Sequence, residues 1–177
     1  MANILAVGIA TLDIINSVES YPNEDSEQRA LGQHKCRGGN ATNTLVVLDQ
    51  LGHNCTCAGV LINEPDSHTI LDDLKHHNID TNNCRHLQQG KMPTSYITLN
   101  KQNGSRTIVH YRDCPEFSFE DFKTIDLTAF DWIHFEGRNI NTTLSLMRNI
   151  KQQYPQLTVS VEIEKPRDGI EQLYEYA

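Results

Sequence analysis

The sequence predicts an α/β fold in which a mainly parallel sheet, interleaved with helices, carries a small β-sheet lid. Three observations predict it. Apolar runs of strand length alternate with segments of helical period. Turn signals twice interrupt that alternation with extended pairs. No repeat, linker or low-complexity stretch breaks the chain. Strands separated by helices imply right-handed crossovers and parallel pairing.

Residues 4–15 are an apolar run of strand type, and 16–21 continue as extended chain. Tyr21-Pro22-Asn23-Glu24-Asp25 reads as a turn, after which 28–36 is again extended. Residues 40–51 have helical period, with Ala41, Thr44, Leu45, Leu48 and Leu51 on one face and Gly52 just past the end. Residues 55–62 look like a short buried strand. Residues 66–77 read as a helix that stops at Asn78, which tolerates the left-handed conformation. Segments 94–100 and 106–112 flank Asn103-Gly104, a hairpin signal because both residues accept positive φ. A strand at 132–135 with Trp132 in the core, a helix at 142–153 and a strand at 157–163 follow. The expected division is an α/β core of 1–13, 37–92 and 114–177, with a lid of 14–36 and 93–113. A lid sheet has two faces and one core to cover, so its other face meets a ligand, a partner subunit, or both.

Composition narrows the function. The chain has 177 residues, and 15 Lys+Arg against 23 Asp+Glu give a net charge of −8. The acidic balance argues against nucleic acid as a partner, since phosphate neutralisation needs a basic face. No apolar run reaches the roughly 18 residues of a membrane span, and the N-terminus lacks the basic start of a signal peptide. Cys36, Cys55, Cys57, Cys84 and Cys114 are odd in number and lack C-x-x-C spacing, so reduced thiols and a cytoplasmic location are expected. The eight histidines form neither H-x-x-x-H nor H-E-x-x-H, and no metal site is expected from them. No G-x-S-x-G elbow occurs.

Four constellations could carry chemistry. In Gly8-Ile9-Ala10-Thr11-Leu12-Asp13 an acid falls where the first strand should end, the place where open parallel sheets bind ligands; a solvated turn acid is the plain alternative. In Arg37-Gly38-Gly39-Asn40-Ala41-Thr42-Asn43 two glycines precede a helix, leaving room for close approach and first-turn N–H groups free. Asn40 and Asn43 share one helix face, and their amides suit polyol hydroxyls; Asn40 as a simple N-cap explains only part of this. Phe135-Glu136-Gly137-Arg138 is either a ligand clamp or an internal ion pair. Val161-Glu162-Ile163-Glu164-Lys165-Pro166-Arg167 lies at another strand end.

Gly38-Gly39-Asn40-Ala41-Thr42-Asn43, the preceding Asp13 and the lid pattern resemble the ribokinase-like (PfkB-type) carbohydrate kinases. The likeness is strongest to ketose-phosphorylating members. It rests on Tyr21-Pro22-Asn23-Glu24-Asp25-Ser26-Glu27, on Trp132-Ile133-His134-Phe135-Glu136-Gly137-Arg138-Asn139 and on Val159-Ser160-Val161-Glu162-Ile163-Glu164-Lys165-Pro166-Arg167. The resemblance implies a three-layer α/β/α ribokinase-like sheet, incomplete here, and ATP-dependent phosphorylation of a ketose, fructose to fructose 1-phosphate. It implies ATP and Mg²⁺, with K⁺ as an optional further cofactor, and a homodimer through the lid. By position, Asp13, Gly39, Asn40 and Asn43 look like sugar ligands, and Asp25 like a residue lent to the neighbouring subunit. Arg106 looks like a nucleotide-phosphate contact. Glu136, Arg138, Glu162 and Lys165 look like a second ring around sugar and phosphate.

The sequence lacks the family's late D-T-x-G-A-G-D-type run. In relatives that run supplies the base and the anion hole, and phosphoryl transfer depends on such positioning and charge stabilisation. The expectation is therefore an incomplete chain of such a kinase, inactive alone. The alternative is a non-catalytic sugar-binding or dimerising product of the same family, and an unrelated α/β binding module is a third reading.

Overall fold

The first apolar run is not one strand. In the structure, a computed structural model describing all of residues 1–177, it splits at Gly8 into β1 (Asn3–Val7) and β2 (Thr11–Val18). These strands belong to different sheets. The cause is steric: a Cβ on Gly8 would lie 2.5 Å from Ala41 Cβ and 2.6 Å from Glu136 Oε2. The chain turns where nothing larger than a hydrogen fits. Asp13, expected at the end of a core strand, therefore stands three residues into a lid strand, and the lid sheet takes in residues 11–13 as well.

β2 pairs with β3 (Gly32–Gly38) antiparallel, and the loop between them is exposed through Asp25, whose φ is 55°. Helix α1 (Asn40–Gln50) follows at once, with Gly39 rather than Asn40 as its N-cap. Its buried face is Ala41, Thr42 and Leu45; Leu51 lies past the end and is exposed, so the apolar stripe is one turn shorter than its spacing suggests. The run at 55–62 also splits, at Gly59, into β4 (Asn54–Ala58) and β5 (Val60–Ile62), because a Cβ on Gly59 would sit 2.4 Å from the Gly8 carbonyl oxygen. Helix α2 (Ser67–His76) starts after Asp66, whose carboxylate pairs with Lys35 and Lys91 rather than capping the helix, and ends before Asn78, whose φ is 51°. β6 (Arg85–Leu87), which has no strong strand pattern, pairs with β5 in a small sheet of its own.

β7 (Thr94–Asn100) and β8 (Arg106–Tyr111) make the expected hairpin. Its connection is longer than a two-residue turn: Asn100 N–H donates to the Ser105 carbonyl and Gly104 N–H to the Asn100 carbonyl, and only Gly104 takes positive φ. The lid sheet runs β3-β2-β7-β8, with β2 and β7 parallel at its centre. After the one-turn α3 (Phe119–Phe122), closed by a Ser118–Asp121 capping box, come β9 (Trp132–Glu136), α4 (Ile140–Gln153) and β10 (Thr158–Glu162). The core sheet is parallel, in the order β10-β9-β1-β4. From β1 the chain steps towards β4 and from β9 towards β10, in opposite directions, so right-handed crossovers put α1 and α4 on opposite faces. Trp132 is 39% exposed at the start of its strand, not in the core; its indole N–H donates to Ser160 Oγ. The core is instead Ile4, Leu5, Leu45, Ile133, Phe135, Met147 and their neighbours.

Gly39 illustrates the tolerance of this architecture. Its φ is 104°, and an added Cβ would meet the Ile9 carbonyl oxygen at 2.1 Å. Gly52 also has positive φ (86°), with open space around it. Gly39→Ala is expected to cost about 3 kcal/mol or more, strain plus overpacking, whereas Gly52→Ala should cost about 1 kcal/mol. Equal shifts of the urea midpoint in the two variants would contradict this account.

Candidate active site

The ends of β1, β9 and β10, the start of α1 and the base of the lid meet at one place. Asp13 reaches back over the glycine pair: a Cβ on Gly38 would lie 2.4 Å from Asp13 Oδ2. Thr11 Oγ donates to Asp13 Oδ1 at 3.0 Å and fixes the carboxylate. The helix start beside it has no side-chain cap, so its first-turn N–H groups are available to an anion or a hydroxyl. The glycines thus do two jobs, one for each neighbour: Gly38 makes room for Asp13 and Gly39 for the Ile9 backbone.

Asn40 and Asn43 face different partners. Asn40 Nδ2 donates to Glu162 Oε1 and Oε2 at 2.9 and 3.1 Å and to Glu164 Oε2 at 3.0 Å. Asn43 Oδ1 accepts from Arg37 Nη1 at 2.8 Å. Arg37 also binds Thr42 Oγ (2.9 Å) and Asp73 (2.5 Å), tying the end of β3 to both α1 and α2.

The pair Glu136 and Arg138 is an internal ion pair within a larger network. Glu136, buried, accepts the Ile9 N–H at 2.9 Å and Arg138 Nη1 at 3.3 Å. Arg138 clamps Glu116 with Nε (3.2 Å) and Nη2 (3.0 Å), and Arg112 closes on the same carboxylate. Glu116 and Arg112 carry no motif, and sequence reasoning missed both. Burial alone would raise the Glu116 pKa, but hydrogen bonds from Arg112 and Arg138 outweigh it and hold it below the usual value. Glu162 goes the other way: burial raises it, the Asn40 amide opposes, and the carboxylates of Glu136 and Glu164 push it further up.

His110 is a third omission. It lies opposite Ser95 on β7, itself opposite Asp13. Counting outward from the hairpin turn would have found it. Partial desolvation, then the positive charges of Arg138 and Arg112, hold His110 below the ordinary histidine value against the pull of Asp13.

The structure thus brings together Asp13, Gly39, Asn40, Glu136, Arg138 and Glu162, with Asn43 on the adjoining helix face. It does not bring Arg106 to them. Arg106 starts β8, four residues from His110, about 13 Å along a strand. Lys165 is exposed and pairs loosely with Glu164 at 3.7 Å. Asp25 sits in the exposed loop between β2 and β3.

The architecture is that of ribokinase-fold kinases. A pfkB protein from Polaromonas superposes with a TM-score of 0.78 at 20% identity, over 100% of this chain and 64% of that one. Ribokinase from Arabidopsis thaliana, solved with ribose and ATP, gives 0.76 at 16% identity, over 93% and 54%. The chain belongs to the pfkB family of carbohydrate kinases, which it matches over residues 1–174. It is 42% identical over 180 aligned positions to ketohexokinase from mouse, covering 98% of this chain and 60% of that protein. It therefore spans about three fifths of that relative's length.

The network gives a prediction with a definite sign. A carboxylate held below its unfolded value stabilises the fold above that value and loses the contribution as pH falls through its folded value. Glu116→Gln should cost about 1–2 kcal/mol at pH 7, discounted because the Glu116 side chain keeps 35% exposure. The gap between wild type and variant should start to narrow as pH falls past the ordinary glutamate value of about 4.3 and vanish only below the lowered folded-state value. Denaturation curves at pH 7, 5 and 3.5 check this, and a gap independent of pH would refute it.

Proposed function

We propose that this protein phosphorylates a ketose with ATP, fructose to fructose 1-phosphate, at the junction of lid and core. The observation that carries the reading is Asp13 held over Gly38 beside the uncapped start of α1, in a chain 42% identical to a ketohexokinase. The Asp13 carboxylate accepts hydrogen bonds from sugar hydroxyls, and the Gly39–Asn40 backbone and the Asn43 amide complete the sugar's polar contacts. Arg138, anchored on Glu116 and Glu136, and Lys165 supply positive charge near the phosphate path. Arg106 serves the nucleotide phosphates only if the lid tip closes towards them.

Mg²⁺ fits this site in one way. No three acidic, histidine or cysteine side chains converge into a cage, but a magnesium ion needs only one or two carboxylates besides phosphates and water. Glu162, crowded by Glu136 and Glu164, has the surplus negative charge for this role. When bound, the ion would offset phosphate charge. No residue of this chain is assigned as the base.

In the same reading the lid, expected as residues 14–36 and 93–113 and here with strand residues from Thr11, acts as a unit that also joins two subunits. Tyr96, Val109 and Tyr111 form an exposed apolar face. Register puts Tyr111 with these and not with Ile97, Leu99 and Ile108, which share the Asp13 face. A concavity of about 600 Å³ at the lid tip, bounded by Glu19, Ser20, Leu31, Lys101 and Gln102, borders the loop that carries Asp25. A partner's loop seated near there is the route by which Asp25 would reach a second site.

The test is Asp13→Ala in the protein expressed from its complete gene. The KM for fructose should rise roughly ten- to a hundredfold, one charge-assisted bond or more, with the KM for ATP unmoved. An unchanged fructose requirement sinks the site assignment. Fructose binding by wild type without ADP release would favour the non-catalytic alternative.

A further inference from the structure

The lid carries a polar row on the face that looks into the site. Cys36 on β3, Asp13 on β2, Ser95 on β7 and His110 on β8 stand opposite one another in register. Directly opposed residues project from the same face of a sheet. Ser95 is buried, and its hydroxyl lies 3.2 Å from His110 Nδ1, which fixes the ring. The charges acting on that ring come from every element around it: Asp13 on β2, Arg112 after β8, Arg138 after β9 and Lys165 after β10. The imidazole therefore looks onto the same space as the residues of the sugar site.

We infer that His110 is a direct ligand of the sugar and selects among ketoses by the orientation of one hydroxyl. The inference rests on the ketose-kinase reading above. Asp13 is acceptor-only, so it cannot recognise a hydroxyl through that hydroxyl's lone pairs. His110 adds a donor on the lid side, across from the N–H groups at the start of α1. We take the tautomer in which Nδ1 accepts from the Ser95 hydroxyl, which leaves Nε2 to carry the proton and donate outward. Partial desolvation, and after it the charges of Arg138 and Arg112, favour the ring's neutral state. Asp13 and His110 are two strands apart, about 10 Å between backbones. A hexose bridges that separation, with one hydroxyl donating to Asp13 and another accepting from His110. No sequence motif marks the residue, and Ser95 has no other evident task on that face.

The experiment uses the protein from its complete gene, as wild type, His110→Leu, His110→Asn and His110→Gln. Initial rates are measured with fructose and its ketohexose epimers psicose, sorbose and tagatose, with thermal midpoints alongside. His110→Leu should raise the fructose KM about three- to tenfold, the loss of one neutral hydrogen bond, and leave the ATP KM unchanged. His110→Asn, too short to reach, should match it and carries the test if the leucine variant does not fold. His110→Gln, whose amide nitrogen stands near the position of Nε2, should restore the KM to within about twofold. Preference among the four ketoses should flatten in the leucine and asparagine variants, an effect that a purely structural histidine would not produce. Folded variants with an unchanged fructose KM and unchanged epimer ratios, or with only the ATP KM altered, overturn the inference. A wild type that neither binds fructose nor releases ADP with any ketose overturns the underlying reading instead, and His110 with it.

Discussion

Everything near the site is arranged around a crossing at Gly8-Ile9 that has no spare room. The Ile9 carbonyl presses on Gly39, the Gly8 carbonyl on Gly59, and Gly8 itself on Ala41 and Glu136. Three segments far apart in sequence thus touch one short stretch of backbone. Close-packed interiors yield little to such pressure, so the stretch sets where the helix α1 begins, where the edge strand β4 stops and how far Glu136 projects. The carboxylate at Asp13 inherits its position from this crossing, four residues downstream.

Core and lid are joined by four connections, and two of them, this crossing and the return after β8, are held by one group of charges. Glu136 takes the Ile9 N–H on the outward connection, and Arg138 grips Glu116 on the returning one. Because Glu136 and Arg138 also bond each other, the two connections are coupled. Breaking either half leaves a partly buried charge without its partner, which costs more than the pair contributes when intact. Arg37 makes a parallel arrangement at the end of β3, joining lid to α1 and α2. The lid's base is thereby fixed at three points, while its tip and the loop around Asp25 are exposed.

Elements with strong local signals were legible in the sequence. α2 has its left-handed Asn78 at the end, and the β7–β8 hairpin has its Gly104. The α/β alternation and the glycine-pair site were equally plain. Continuous apolar runs were not, because hydrophobicity says that residues 4–15 and 55–62 are buried but not that each changes sheet midway. Gly8 and Gly59 mark those breaks, yet a lone glycine is uninformative until its neighbour's backbone is in place. β6 failed for a related reason: three residues with a polar pattern are a strand only because β5 supplies a partner. Among the residues singled out by motif, Asp13, Gly39, Asn40, Glu136, Arg138 and Glu162 converge and Asp25, Arg106 and Lys165 do not, while His110, Arg112 and Glu116, brought in by pairing register or a long-range salt bridge, carry no motif in the sequence. Whether Glu136 and Arg138 were clamp or ion pair depended on Glu116, which no spacing rule connects to them.

The parallel pairing of β2 with β7 has a consequence for the order in which the molecule assembles. That pairing sets Leu12 beside Thr94 and Val18 beside Asn100, so the centre of the lid sheet is its least local contact. Closing so long a loop is entropically unfavourable until intervening structure has shortened it. On a ribosome, β2 and β3 emerge well before β7 and have only each other, leaving β2 with an open hydrogen-bonding edge. The β1-α1-β4 unit and α2 must condense first and bring the two ends together. The lid thus waits on the β1-α1-β4 unit and α2, while β9, α4 and β10 are still to be added to the core sheet. A nascent chain stalled before β7 presents that edge to the outside, where chaperones act and where misassembly begins.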